Sequence, residues 1–193
     1  MKIVLASQSP RRKELLARMG VEEFEVCPSA DEENAPAGLT PDRLVEYLSA
    51  EKARQVAGRF GPEDIIIAAD TVVAVDDRVL GKPHSRDEAV EMLAMLSGRS
   101  HAVYTGVTVR RGDVVCTEYE CTRVTFRPLS GSEIEAYVDT GEPMDKAGSY
   151  GIQGRGCLLV EGIEGDYYNV MGLPVCRLGQ MLRRAGLDVW NWK

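Results

Sequence analysis

The sequence predicts an α/β fold built on a mixed β-sheet. Apolar runs of strand length, "KIVLA" at residues 2–6 and "IIIAADTVVAV" at 65–75, alternate with amphipathic segments of helical length. Hairpin signals lie among them, the clearest being two β-rich runs joined by "RGD" at 111–113. A hairpin makes neighbouring strands antiparallel, so the sheet is not purely parallel. With 193 residues and 44% hydrophobic content, the chain suits one large domain over residues 1–193 or two small lobes sharing a core.

The elements follow in order. "KIVLA" is apolar after its lysine, as a strand covered on both faces is. Pro10 opens a helix through "RRKELLARMG", where Leu15, Leu16 and Met19 share a face and Gly20 is the stop. Residues 21–41 are acidic, hold Pro28, Pro36 and Pro41, and predict a strand and then a loop. A second helix runs from about Pro41 to Gly58, with Val45, Leu48 and Val56 on its buried stripe. "EDIIIAADTVVAVDDRVLGKP" predicts one or two inner strands, a tight turn and a loop. Ser85 and Glu88 have capping-box spacing for a helix to about Leu96, ended by Gly98. Residues 102–126 predict the hairpin about "RGD", and Ser130 with Glu133 repeats the capping pattern before a short helix. The glycine-rich "TGEPMDKAGSYGIQGRG" comes next, then a strand at "CLLVEGI", a turn, and "YYNVMG". The last helix has Pro174 near its N-terminus and Gly186 as its stop.

Composition narrows the function classes. The formal charge of -7 argues against broad nucleic-acid binding, which needs a basic face, but permits a local cationic pocket for a small anion. No run is long enough to span a bilayer, and "MKIVLAS" is too short for a signal peptide, so a soluble cytoplasmic protein is expected. The five cysteines include no Cys-x-x-Cys pair and are expected to be small buried hydrophobes in a reducing compartment. His84 and His101 lack zinc-finger spacing.

Several residues break their local pattern. In "SQSPRRK", Arg11 and Arg12 sit at a helix N-terminus, the end that favours anions. With the Ser7 and Ser9 hydroxyls they form a candidate polyphosphate cradle. The alternative is that Ser9 caps the helix and both arginines are solvated. Lys52 falls on the buried stripe of the second helix, so it either snorkels to water or points into a polar cleft. Asp70 interrupts an otherwise apolar run, and a carboxylate so placed requires a cation, a metal or a shifted pKa. Lys82 in "LGKPH" and Lys146 in "MDKAGSYGIQG" lie beside glycines, where backbone can approach a ligand, although each lysine alone reads as a surface residue. The glycines at 148–156 match neither a dinucleotide fingerprint nor a Walker A loop. In "DEEN" at 31–34, Glu33 is the candidate that, with Asp70, would hold Mg²⁺ or Mn²⁺.

Taken together, "LASQSPRRKELL", "AADTVV", "GKP", "EPMDKAGSYGIQG" and "DYYNVMGLP" resemble the Maf family of nucleotide pyrophosphatases, in order and spacing, over roughly residues 3–185. The resemblance implies an elongated mixed sheet with two lobes around a cleft, related to inosine triphosphate pyrophosphatases. It implies metal-dependent hydrolysis of nucleoside triphosphates to the monophosphate and pyrophosphate. In the subgroup carrying "DKAGSYGIQG" and "YYNVMGLP" the substrates are dTTP and UTP. By resemblance Asp70 is the general base, and Arg11, Thr71 and Gln153 are specificity positions. Members are often dimers, and the family name implies a link to septum formation. A nucleotide-binding regulator of division without turnover is the alternative of a different class.

Overall fold

The apolar run at the N-terminus does form a strand, and the sheet grows outward from it. The computed structural model describes residues 1–29, 35–76 and 78–191. Strand β1 (Ile3–Leu5) lies between two parallel partners, β2 (Glu25–Val26) and β3 (Ile65–Val75). Beyond β3 come the long hairpin strands β5 (Ser100–Arg111) and β6 (Val114–Phe126), after β4 (Arg78–Leu80) in the chain. An antiparallel β7 (Val160–Glu164) follows β6. The order is β2-β1-β3-β5-β6-β7, with β4 antiparallel on β3. Parallel and antiparallel pairings in one seven-stranded sheet match the mixed α/β expectation.

Six α-helices are described: α1 (Pro10–Arg18), α2 (Pro41–Ala57), α3 (Arg86–Leu96), α4 (Gly131–Val138), α5 (Tyr167–Met171) and α6 (Val175–Arg184). None is long and apolar enough to cross a membrane. The chain forms two compact units. The first comprises residues 1–70, 105–120 and 172–193, and the second 71–104 and 121–171, so β3, β5 and β6 each contribute to both.

In the first unit, Ala53 and Val56 of α2 pack on Val4, Ala6, Ile66 and Ala68. The buried stripe of α2 is Val45, Ser49, Ala53 and Val56. Leu48 is only half-buried, and Ser49 takes the inner place, where its hydroxyl is 3.0 Å from that of Thr108 on β5. In the second unit, α3 and α4 cover Val73, Val75, Val103, Val124 and Phe126.

Some local expectations change. Ser130 and Glu133 form a full reciprocal capping box. Ser85 accepts from the Glu88 amide, but the Glu88 carboxylate turns to the His84 amide at 2.6 Å, so only half the box closes there. The "CLLVEGI" strand begins only at Val160, because residues 155–158 wind into a 3-10 turn. "YYNVMG", to which the sequence pattern assigned no element, holds a short helix over Tyr167–Met171, with buried Asn169 donating to the Val103 carbonyl and the Thr122 hydroxyl, 2.9 Å each. None of the five cysteines is buried: Cys121, Cys157 and Cys176 are exposed, and Cys27 and Cys116 are intermediate. A cysteine packs well inside but is small enough to be tolerated on a surface when nothing oxidises it.

His101 is the core residue with a pH signature. Its Nε2 is 2.8 Å from the Tyr150 hydroxyl, its ring edge meets Phe126, and burial pushes its pKa down to about 4. Unfolded, the imidazole titrates near its ordinary value of about 6.5, so the unfolded chain takes up the proton first as pH falls. Stability should therefore decline between about pH 6.5 and about pH 4. Melting temperature against pH checks this, and His101→Gln should flatten that part of the profile.

Candidate active site

The first unit builds its site at the carboxyl end of β1. Val4 and Leu5 pair with Ile66 and Ile67, and the last rung is the Ala6 amide donating to the Ile67 carbonyl at 2.8 Å. The chain then turns through Ser7–Ser9 into α1, whose first position is Pro10. The end of parallel strands beside a helix N-terminus is where α/β sheets place anionic ligands. Ser7 is buried, and its hydroxyl oxygen accepts from the Ser9 amide and from Arg12 Nη1, each at 3.2 Å. Arg12 Nε donates to the Gly172 carbonyl at 2.8 Å, so the second arginine braces the turn.

Ser9 makes no side-chain capping bond and the first turn of α1 carries no acid. Arg11 and Arg12 are half-buried rather than splayed into solvent. The picture of a serine-capped helix with two solvated arginines therefore does not hold.

Lys52 and Asp70, picked out separately in the sequence, are partners. Alternation along β3 puts Ile66, Ala68 and Asp70 on one face, the face that α2 covers. Lys52 precedes Ala53 on α2, and its ammonium forms an ion pair and hydrogen bond with Asp70 Oδ1. Both side chains are largely enclosed, at 18% and 16% exposure. Of the three ways to hold a carboxylate in an apolar run, the fold uses a cation. Ile67 is level with the end of β1, and Asp70 lies three residues further along β3, roughly 10 Å at ~3.3 Å per residue.

The second unit holds the remaining candidates. Thr71 is half-buried, with its side chain on the face of β3 opposite to that of Asp70. Lys82 is exposed in the turn after β4, and the adjacent Gly81 carbonyl accepts from the Gly148 amide at 3.0 Å. Lys146 is folded inward: its ammonium donates to the Glu142 carbonyl at 2.7 Å and to Asp145 at 2.5 Å. Gln153 is exposed.

The glycines near these lysines make room for protein rather than for a ligand. A Cβ on Gly148 would lie 2.7 Å from Val73 Cγ2, and one on Gly151 2.5 Å from Lys146 Cε. A Cβ on Gly154 would lie 2.4 Å from the Glu142 carboxylate. Glu142 and Tyr137, which the sequence pattern left unmarked, are what that loop closes on. The legible signal was three glycines within six residues downstream of two acids, Glu142 and Asp145.

Among the described residues no three His, Cys, Asp or Glu side chains converge as a metal cage. Glu33 lies outside the described residues. Asp70 offers one carboxylate, already shared with Lys52. That set fits a cation such as Mg²⁺, which is commonly held by one or two carboxylates and by substrate phosphates, and does not fit a resident all-protein cage.

A family model described as Maf-like protein matches residues 2–185. The dTTP/UTP pyrophosphatase of Moorella thermoacetica is 54% identical over 193 residues, covering 98% of both chains. The dTTP/UTP pyrophosphatase of Symbiobacterium thermophilum is 51% identical over 189 residues, 98% of this chain and 96% of that one. Among solved structures, a HAM1 protein from Coxiella burnetii superposes with a TM-score of 0.51 at 15% identity, covering 95% of this chain and 99% of that one. At that identity the likeness shows the fold alone.

Proposed function

This chain belongs to the Maf family, and from that premise we propose that it hydrolyses dTTP and UTP to the nucleoside monophosphate and pyrophosphate. The observation that carries the reading is the ion pair of Lys52 on α2 with Asp70 on β3, beyond the end of β1 and its cation-bearing turn. The reaction needs groups that attract a triphosphate, an acceptor for a water proton, and charge compensation on the departing pyrophosphate. Ser7, Ser9 and Arg11 at the β1–α1 turn supply donors and charge for phosphate oxygens, and Arg12 holds the turn while facing the same end of the helix. Asp70 orients a water and accepts its proton as that water bonds to the α-phosphorus and the α–β anhydride bond breaks. Lys52 holds the carboxylate in place and keeps it from repelling the incoming phosphates.

A divalent metal, Mg²⁺ or Mn²⁺, is held in this reading by Asp70, with Glu33, and by phosphate oxygens, and when bound supplies neutralising charge. Lys82, exposed in the second unit, is kept as a substrate-binding candidate on the strength of its sequence context. Lys146 contributes through its loop, since its ammonium is already engaged. Gln153, exposed at its loop tip, has the donor and acceptor that a uracil or thymine edge requires, and Thr71 is the second specificity position. Cytoplasmic location, a homodimeric state, the absence of a nucleic-acid partner, and a housecleaning or septum-related role belong to this proposal.

Pyrophosphate release from dTTP, UTP and purine triphosphates, with Mg²⁺ or Mn²⁺, tests the activity directly. No release from any nucleotide that binds would leave a non-catalytic regulator. Gln153→Ala should raise KM for dTTP and UTP by about tenfold, the effect of about one lost hydrogen bond to the base, and change KM for GTP little. Equal losses for every nucleotide would remove Gln153 from base recognition.

A further inference from the structure

We propose that Glu142 is a positioning residue for nucleobase recognition, fixing the Gly151–Gly156 loop so that Gln153 meets the base edge in one orientation. This rests on the reading that Gln153 contacts the base. The Glu142 carboxylate accepts at both oxygens: Oε1 from the Tyr137 hydroxyl at 2.8 Å and the Gly156 amide at 3.2 Å, and Oε2 from the Arg155 amide at 2.9 Å. The Tyr137 oxygen in turn accepts from the Gly151 amide at 3.0 Å. One phenol and one carboxylate therefore tie the loop at both ends, residue 151 and residues 155–156, with Gln153 midway and exposed.

The glycines complete the clamp. A Cβ on Gly156 would lie 2.5 Å from the Gly151 carbonyl oxygen and 2.7 Å from the Tyr137 hydroxyl. With the Gly154 approach to Glu142, this leaves the loop little room to take another shape. Burial alone would raise the Glu142 pKa, but the Tyr137 hydroxyl, the two amides and nearby Lys146 outweigh it and hold the pKa below the usual value. The clamp stays ionised at neutral pH.

A carboxylate is required rather than an amide. Glutamine has a single side-chain acceptor oxygen, so in either orientation its NH₂ faces a backbone N–H or the phenol. One end of the loop is then released, and a side chain that must present two hydrogen-bonding atoms in a fixed plane loses its alignment.

The test compares kcat/KM for dTTP and UTP with that for dGTP and dATP in four proteins: wild type, Glu142→Gln, Gln153→Ala and the double variant. The pyrimidine-over-purine ratio should fall about tenfold in Glu142→Gln and at least as far in Gln153→Ala. It should fall no further in the double variant than in Gln153→Ala, because both changes act through one contact. A general loss of folding would lower all four substrates together and leave the ratio unmoved. Tyr137→Phe, which keeps the ring packing and removes the hydroxyl, should lower the ratio in the same direction and serves if Glu142→Gln does not fold. The proposal is overturned if Gln153→Ala lowers the ratio while Glu142→Gln and Tyr137→Phe leave it within about twofold of wild type. If Gln153→Ala itself leaves the ratio unchanged, the base-reading assignment has failed, and this proposal falls with it for that separate reason.

Discussion

Asp70→Asn is expected to lower kcat for dTTP by ~10² to 10⁴-fold, the usual worth of a positioned general base, while nucleotide binding persists. The substitution keeps the shape of the side chain. An Asn oxygen can still accept from the Lys52 ammonium, so the contact between α2 and β3 survives in outline. What disappears is the negative charge that receives a proton. Lys52, 18% exposed, then lacks full charge compensation, so thermal stability should drop modestly and the assays belong well below the melting temperature. Single-turnover rates with calorimetric titration of dTTP separate the two effects. Near wild-type turnover from a folded Asp70→Asn protein would remove Asp70 from the chemistry.

Gly106→Ala is expected to cost about 3 kcal/mol or more of stability, toward the severe end for a single methyl group. A Cβ at this position of β5 would lie 2.1 Å from the Val45 carbonyl oxygen, 2.3 Å from its carbon and 2.8 Å from the Glu46 nitrogen. All three atoms are helix backbone, so no rotamer change relieves the overlap. Helix α2 would have to lift from β5, opening the Val45 packing and the Ser49–Thr108 hydrogen bond. Lys52 rides on the same helix, so the folded fraction should also lose activity. Chemical denaturation with kcat measured on the same preparation tests both parts. A melting temperature unchanged within a degree or two would show that α2 does not rest on that glycine as described.

These two positions differ in how far they could be read in advance. Asp70 stood out because a charge inside an apolar strand contradicts its neighbours. Gly106 sat unremarked in "YTGVTV", although a lone glycine inside a strand is a recognised sign of close backbone approach. Lys52 was legible as an oddity on a buried stripe, but its partner was not, because the pair joins a helix to a strand 18 residues away. Arg12 looked like a phosphate ligand, and its brace to Gly172 spans 160 residues of sequence. The glycines at 151, 154 and 156 suggested space for a ligand, and the fold fills that space with Lys146, Glu142 and Tyr137.

The sequence by itself determined most of the segments that become strands and helices, that the opening turn carries cations, and that Asp70 must have a partner. Periodicity, capping residues and a misplaced charge are local, and local chemistry records them. Only the tertiary structure decided that the partner is Lys52, that α2 touches β5 backbone to backbone at Gly106, and that Glu142 closes the loop bearing Gln153. Those outcomes depend on distances between segments remote in the chain, which side-chain packing sets and no single stretch of residues encodes.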